Sequence, residues 1–414
     1  MKTAIFINTF AKMANYDLNE LSKYNTRLIA IVSDDEYLKF SNAYGKYFSE
    51  IHSCKNMSEN PFEKISYDFS KNIVKNEMSI HGNSVRLISL SEDNLLIAAN
   101  LRDELEIPGM RTQQAKSFRD KTIMKDILSS KNIRTPHYIK FDCKAAKDSS
   151  DYYEKIKRAI GLPFVLKPFD LLGSLGVAII NSYGEFDLFC KENENTPSYD
   201  YEIEEYISGT LYHCDSIVHN DEIIFSICCE YTNPNFDFQN GKSVISMPLK
   251  SNSPVAKRIF SFNQEVLKAM EFTQGVSHHE LFITKNNEIV FLEIAARSPG
   301  AIVTPMYRLS SNVGMEDIDF KMQMNIPFQL NSTEDVYYLS GILPTLTGTI
   351  TKLVSPDIKS KYDMKWAVKE GDQHIKSMSL REKSASIIAW NSNYETLLSD
   401  FEYLKNYQST HVSI

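Results

Sequence analysis

The stretch HHELFITKNNEIVFLEIAARSPGA, residues 278–301, sets a glutamate in each of two apolar strand-like segments and follows them with an arginine and a glycine. Glu280 falls near the start of one strand-like segment and Glu293 near the end of the next, with Arg297 following. Carboxylates beside a run such as Ile289, Val290, Phe291 and Leu292 are costly to bury unless something cationic meets them. The plainer alternative is two acids salt-bridged at a sheet edge and a surface arginine. A second chemical candidate is the loop carrying Gly173, Ser174 and Gly176, which follows Lys167 at the end of a strand. Two short strands joined by such a loop can lay backbone N–H groups over a phosphate. The lysine precedes the glycines, so the pattern is not a Walker A motif.

The elements that would position these residues are legible from periodicity. TAIFIN, RLIAIVS and VRLISLS read as short apolar strands, and SEDNLLIAANLRDEL as a helix with Ser91 as its cap. Alternation of this kind predicts a parallel sheet flanked by helices. Asn8, Thr9 and Phe10 stand where a dinucleotide fingerprint needs glycines, which argues against NAD. A helix is expected over about 119–130, then Pro136 leading into a strand, then strand, loop and strand over GLPFVLKPFDLLGSLGVAII. YEIEEYISG, LYHCDSIVH and EIIFSICCEY add strands, TNPNFDFQNGKS a loop or irregular hairpin, and 254–271 a helix. Beyond Ile326 come short strands and turns and a final helix near 394–404.

A chain of 414 residues exceeds one ordinary core and suggests two or three domains. The net charge of −8 makes a nucleic-acid partner a poor fit. No apolar run is long enough to span a bilayer, and MKTAIFINTF lacks the features of a signal peptide, so no membrane partner and a cytoplasmic location are expected. The six cysteines form no C-x-x-C pair and read as free thiols; the nine histidines form no H-E-x-x-H pattern.

Five motifs occur in order: Asp120-Lys121 before a helix and Thr135-Pro136, FVLKP at 164–168, EEYISG at 204–209, GVSHHELF at 275–282, and FLEIAAR at 291–297. Together they resemble the ATP-grasp superfamily, in the branch of carboxylate–amine ligases with a biotin-carboxylase-like layout, and are most similar to bacterial L-amino-acid ligases. The resemblance implies an α/β N-terminal domain over 1–115, two ATP-grasp subdomains over 116–205 and 206–330, and a small mixed domain over 331–414. It implies ATP and magnesium, with manganese as the alternative metal, and an acyl phosphate that an amine converts to an amide. Glu280 and Glu293 would be the metal ligands, since hard cations take oxygen donors, and Arg297 the catalytic cation. Lys121 and Lys167 would meet phosphate under a lid carrying Gly173, Ser174 and Gly176. Glu204, Glu205 and Ile207 would meet adenine, and His213, Ser298 and Gly300 the substrate.

Three positions depart from the pattern. Ala295 stands where many relatives have a metal-holding asparagine, Leu211 where some have a ribose-binding acid, and Thr210 where similar ligases have an acid that helps receive the substrate amino group. The partners implied are a small carboxylate and an amine, with a homodimer and a carrier-protein thiol as further options. A nucleotide-binding module without catalysis is the rival reading.

Overall fold

The computed structural model describes the chain apart from residues 9–12, 14, 56–63, 90, 143–145, 147–148, 170, 172, 174, 194–199, 331–335, 378 and 414. Strands β1 (Lys2–Asn8), β2 (Thr26–Ser33), β3 (Glu50–Cys54) and β4 (Val85–Ser89) form a parallel sheet in the order β3-β2-β1-β4. Along β1, Ala4 and Phe6 enter one apolar layer while Ile5 and Ile7 enter the other. That is the two-residue alternation of a strand buried on both faces, and it explains the continuous apolar run. The first layer also holds Phe320 and Met324, with the rings of Phe6 and Phe320 stacked at 5.8 Å. The helix Met315–Gln323 thus fastens the segment that follows Arg297 to the N-terminal sheet.

The helix Lys121–Ser130 begins two residues later than the sequence suggests, because Asp120 caps it. Its Oδ1 accepts from the amides of Thr122 and Ile123 at 2.8 and 3.2 Å. Such a cap satisfies amide donors that the helix itself leaves free. The expected cap at Ser91 is not made: a short 3₁₀ turn over Glu92–Asn94 intervenes, and the helix proper runs from Leu95 to Glu104. A four-stranded antiparallel sheet follows, β5 (Tyr138–Lys140), β6 (Phe164–Pro168), β7 (Ala178–Ile180) and β8 (Tyr201–Glu205), ordered β5-β8-β6-β7. Phe164, Leu166 and Ile203 pack against Tyr152, Ile156 and Phe186 of two covering helices.

The next sheet has eight strands. They are β9 (Gly209–His219), β10 (Glu222–Tyr231), β11 (Val244–Pro248), β12 (Gly275–Thr284), β13 (Ile289–Ala295), β14 (Tyr337–Pro344), β16 (Lys361–Trp366) and β18 (Lys383–Asn391). Their order is β13-β12-β9-β10-β11-β14-β18-β16, antiparallel throughout. The expected border at 330/331 therefore crosses one continuous sheet, since β14 pairs with β11 from Val244↔Ile342 to Ser246↔Ser340. The border at 205/206 coincides with the end of β8, and that at 115/116 falls inside the helix Thr112–Ser117. A three-stranded sheet of β15 (Gly348–Leu353), β17 (Gln373–His374) and β19 (Thr410–Ser413) completes the chain. At the start of β9 a Cβ on Gly209 would lie 2.5 Å from the carbonyl oxygen of Ile283, so the crossing from β8 into β9 needs glycine there. No helix among the described residues is long and apolar enough to cross a membrane.

Candidate active site

Glu280 and Glu293 are directly opposite each other across β12 and β13, at a bulge between Glu280 and Leu281. Opposed residues share a sheet face, and like charges there repel. The two carboxylates differ in their surroundings. Asn235 Nδ2 donates to Glu280 Oε1 at 2.8 Å, and His278 Nε2 lies 3.2 Å from the same oxygen. Glu293 is more open, its side chain 35% exposed, with Lys121 Nζ at 3.4 Å.

Behind Glu280 is a buried relay. His278 Nδ1 lies 2.6 Å from Asp215 Oδ1, and His213 Nδ1 lies 2.8 Å from Asp215 Oδ2, which also accepts from the Tyr307 hydroxyl. Burial alone would depress both imidazoles, but the Asp215 carboxylate raises each to about 9. His279, the next residue, faces the other side of the sheet, beside Asn263, Phe262 and Phe291. Burial, with the neighbouring charge of His278, lowers it to about 3. Two adjacent histidines thus take opposite charge states because a strand alternates its faces. The trio His213, Asp215 and His278 is compact enough to hold a metal ion. Protonated imidazoles are poor ligands, and the arrangement is better described as two cations on one carboxylate. His213 itself is fully buried, with its Nε2 2.6 Å from Ser246 Oγ. Both ring nitrogens are engaged, so it does not present a free edge to a substrate; it reaches Glu280 only through Asp215 and His278.

The cationic wall comes from the preceding subdomain. Lys121 opens its helix with Nζ donating to Leu171 O at 2.8 Å. Lys167, on β6, has Nζ 2.7 Å from Glu204 Oε1 and 3.7 Å from Glu202 Oε1. Burial opposes its charge, yet Glu204, Glu202 and Glu293 hold it above the usual lysine range. Glu202 and Glu204 project from the same face of β8 onto a second ammonium, that of Lys125, at 2.5 and 2.7 Å. Lys125 and Glu202 are fully buried. These two residues escaped the sequence reading, although a lysine and a glutamate inside apolar periodicity are the signal for a buried pair.

Lys121, Lys167, Gly173, Glu204, Glu205, Ile207, Glu280 and Glu293 line one cleft between the two sheets. Val165, Ile179, Leu211, Phe282 and Leu292 supply its apolar surface. The two β8 acids that line the cleft are already paired, Glu204 with lysines and Glu205 with Arg134 Nη2 at 2.8 Å. What that segment offers a ligand is therefore its backbone beyond β8. Gly176 does not line the cleft: its position faces Pro168 and Tyr201 at a φ of +73°. Ser174, with Asp170 and Leu172 of the same loop, lies outside the described residues.

Arg297 is held from the N-terminal domain. Its Nε donates to Glu92 Oε2 at 2.9 Å and its Nη1 to Ser298 O at 2.9 Å. Glu92 Oε1 accepts from Arg119 Nη1 at 2.6 Å. Burial would raise the Glu92 carboxyl, but Arg297, Arg119 and Lys121 bring it down to about 2. Ser298 Oγ is engaged by Glu316 Oε1 at 2.6 Å, and that oxygen also accepts from Asn15 at 2.9 Å. Nothing approaches the Cβ position of Gly300, so close approach of protein atoms is not what calls for glycine there.

Residues 160–305 match the ATP-grasp domain family. The chain is 27% identical over 279 residues to an L-arginine-specific L-amino acid ligase of Bacillus subtilis, covering 64% of each chain. It is 25% identical over 222 residues to a D-alanine–D-alanine ligase of Proteus mirabilis, covering 50% of this chain and 57% of that one. The matched segments thus span somewhat under two thirds of these curated relatives. Among solved structures, an L-amino acid ligase from Bacillus licheniformis superposes with a TM-score of 0.74 at 14% identity, over 100% of this chain and 99% of that one. The biotin carboxylase domain of a Hydrogenobacter thermophilus 2-oxoglutarate carboxylase gives 0.65 at 14% identity, over 99% and 90% of the two chains. These likenesses establish the fold.

Proposed function

We infer that this chain, which has the ATP-grasp fold, is an ADP-forming ligase that joins the carboxylate of an amino acid to an amine. The observation that carries this reading is the opposed pair Glu280 and Glu293 at the mouth of a cleft walled by Lys121 and Lys167, with Arg297 held nearby by Glu92.

Two carboxylates placed face to face fit a hard divalent cation, because their mutual repulsion is relieved by one. Magnesium, or manganese in its place, would supply charge neutralisation for the triphosphate. Lys121 and Lys167 hold phosphate oxygens. The backbone beyond β8 and the apolar residues Val165, Ile179 and Leu211 hold the base. Arg297 presents its free Nη2 edge to the transferring phosphoryl group, and Glu92 fixes the plane of its guanidinium before charge develops. An oxygen of the substrate carboxylate forms the bond to the γ-phosphorus as the bond to ADP breaks. The amine then bonds to the acyl carbon, phosphate leaves, and the amine loses a proton. In this reading residues 1–115 supply Glu92, 116–205 the lysines, and 206–330 the acids and Arg297, with strands of 331–414 extending the sheet that carries the acids.

The test is direct. The chain is incubated with ATP, magnesium and amino acids singly and in pairs, ADP release is followed, and products are weighed by mass spectrometry. A mass equal to two amino acids less one water, appearing with ADP, supports the reading. ATP stable in the presence of every pair refutes it.

A further inference from the structure

A second cavity, of about 420 Å³, lies where β4 and the helix Leu95–Glu104 meet the helix Met315–Gln323. It shares no lining residue with the nucleotide cleft. Its wall contains Arg86, Arg102, Asp319, Gln323 and Ala296.

Arg102 and Asp319 on this wall attract one another, but among the described residues they form no direct ion pair. Arg102 is only 3% exposed, yet it meets neutral oxygens: Nη2 donates to Leu87 O at 2.6 Å and to Gln323 Oε1 at 3.4 Å, and Nη1 to Met110 O at 3.5 Å. Its Nε has no partner. Arg86 likewise donates to carbonyls, those of Asn83 and Val85, both at 2.8 Å. Among the described residues neither arginine has a carboxylate within ion-pair distance, whereas Arg27, Arg119, Arg134, Arg297 and Arg308 each do. On the opposite wall Asp319 Oδ2 accepts from Gln323 Nε2 at 2.7 Å. The Gln323 amide therefore stands between the two charges, its oxygen toward the guanidinium and its nitrogen toward the carboxylate. Burial lowers Arg102 to about 10 and raises Asp319 to about 6, and their mutual attraction offsets this only in part.

A buried guanidinium and a partly buried carboxylate facing one space, and held apart by a neutral amide, are complementary to a ligand that carries both signs. We propose that this cavity binds a free α-amino acid, its carboxylate taken by Arg102 and Arg86 and its ammonium by Asp319. An occupant touching Ala296 is one peptide bond from Arg297, so the site is placed to make the reacting centre respond to amino-acid supply. The reading of the main site as a ligase motivates that role but not the binding itself.

The test is calorimetric titration of the full-length, nucleotide-free protein with L-alanine, L-glutamine and L-glutamate. At least one should bind. Arg86→Met and Asp319→Asn, both at incompletely buried positions and checked for native circular dichroism, should each weaken that binding by about tenfold or more, the worth of a charge-assisted hydrogen bond. Arg297→Met should leave it unchanged, which separates this cavity from the reacting centre. No heat from any of the three, binding that survives either cavity substitution, loss of binding in Arg297→Met, or displacement by acetate as effective as by the amino acid would each overturn the assignment. Because no ATP is present, failure of the ligase reading would leave this result intact.

Discussion

Arg297 Nε and Glu92 Oε2 lie 2.9 Å apart although 205 positions separate them in the chain. Glu92 also holds Arg119, so one carboxylate fixes two guanidinium groups. Glu92→Gln should lower turnover roughly tenfold or more while changing nucleotide affinity little, since a charge-assisted bond is lost at the residue proposed to meet the reacting group. Turnover and nucleotide dissociation constant measured on the same variant decide this. An affinity loss with turnover intact would mean that the pair only shapes the cleft.

The same carboxylate gives a pH signature. Burial works against it, but Arg297, Arg119 and Lys121 lower it to about 2, while an unfolded glutamate titrates near about 4.3. A depressed carboxylate stabilises the fold fully above the unfolded value, and that contribution fades as pH falls through the folded one. The stability gap between the wild-type chain and Glu92→Gln should therefore stay level from about pH 7 to 5 and narrow below about pH 4. Urea denaturation across that range is the measurement, and a gap independent of pH would contradict the pairing.

Glu293→Gln should abolish ATP turnover and leave the fold intact. The side chain is 35% exposed and, among the described residues, its one ion pair is with the Lys121 ammonium, so its replacement costs little packing. It removes one of the two opposed anionic charges that suit a divalent cation. ADP release at saturating magnesium, beside an unchanged melting curve, is the check; undiminished release would remove Glu293 from the metal site.

Arg297→Lys should cut turnover on the order of 10²-fold, comparable to removing one oxyanion donor, and spare ATP affinity. Arg297 uses Nε and Nη1 to dock on Glu92 and Ser298, which in the proposed reaction leaves Nη2 for the phosphoryl group. An ammonium cannot dock and reach at once. Comparing single-turnover rates with nucleotide binding distinguishes the outcomes, and equal losses in both would make Arg297 a ground-state phosphate clamp.

Lys125→Met should destabilise the chain by about 3–5 kcal/mol, the cost of breaking a buried pair from one side. Glu202 would keep only the more distant Lys167 at 3.7 Å. Equilibrium denaturation measures it; a loss under about 1 kcal/mol would show that the acids recover hydration or protonate cheaply.

The cleft residues on β6, β12 and β13 were legible because each sits in a short segment whose neighbours fix its face. Lys167 follows Leu166 and precedes Pro168, and Glu280 and Glu293 lie in paired apolar strands joined by a tight turn. Glu92 and Arg119 were not, because their partner lies on another domain and no local spacing encodes it. The histidine pair was half legible. Adjacent residues on a strand must face opposite ways, but which of His278 and His279 is the cation depends on Asp215, on a different strand. Ser91 misled because a cap residue next to a 3₁₀ turn has the same local sequence as one next to a helix. The sheet shared across 330/331 was missed for a related reason: strand order is a long-range property that no local spacing encodes.

That continuity between β11 and β14 bears on how the chain behaves when shortened. Ending it at 330, where the sequence suggests a border, would remove β14 from one side of β11, leaving β10 on the other, and would unpair the backbone groups of Val244–Ser246 that face β14. Ile245 and Met247 would also lose Leu339, Leu343 and Ile387 from their shared core. An apolar strand with an open hydrogen-bonding rim is a template for self-association. A chain cut there would retain Glu92, the lysines, Glu280, Glu293 and Arg297, and yet be expected to aggregate rather than to work as a minimal form of the proposed enzyme.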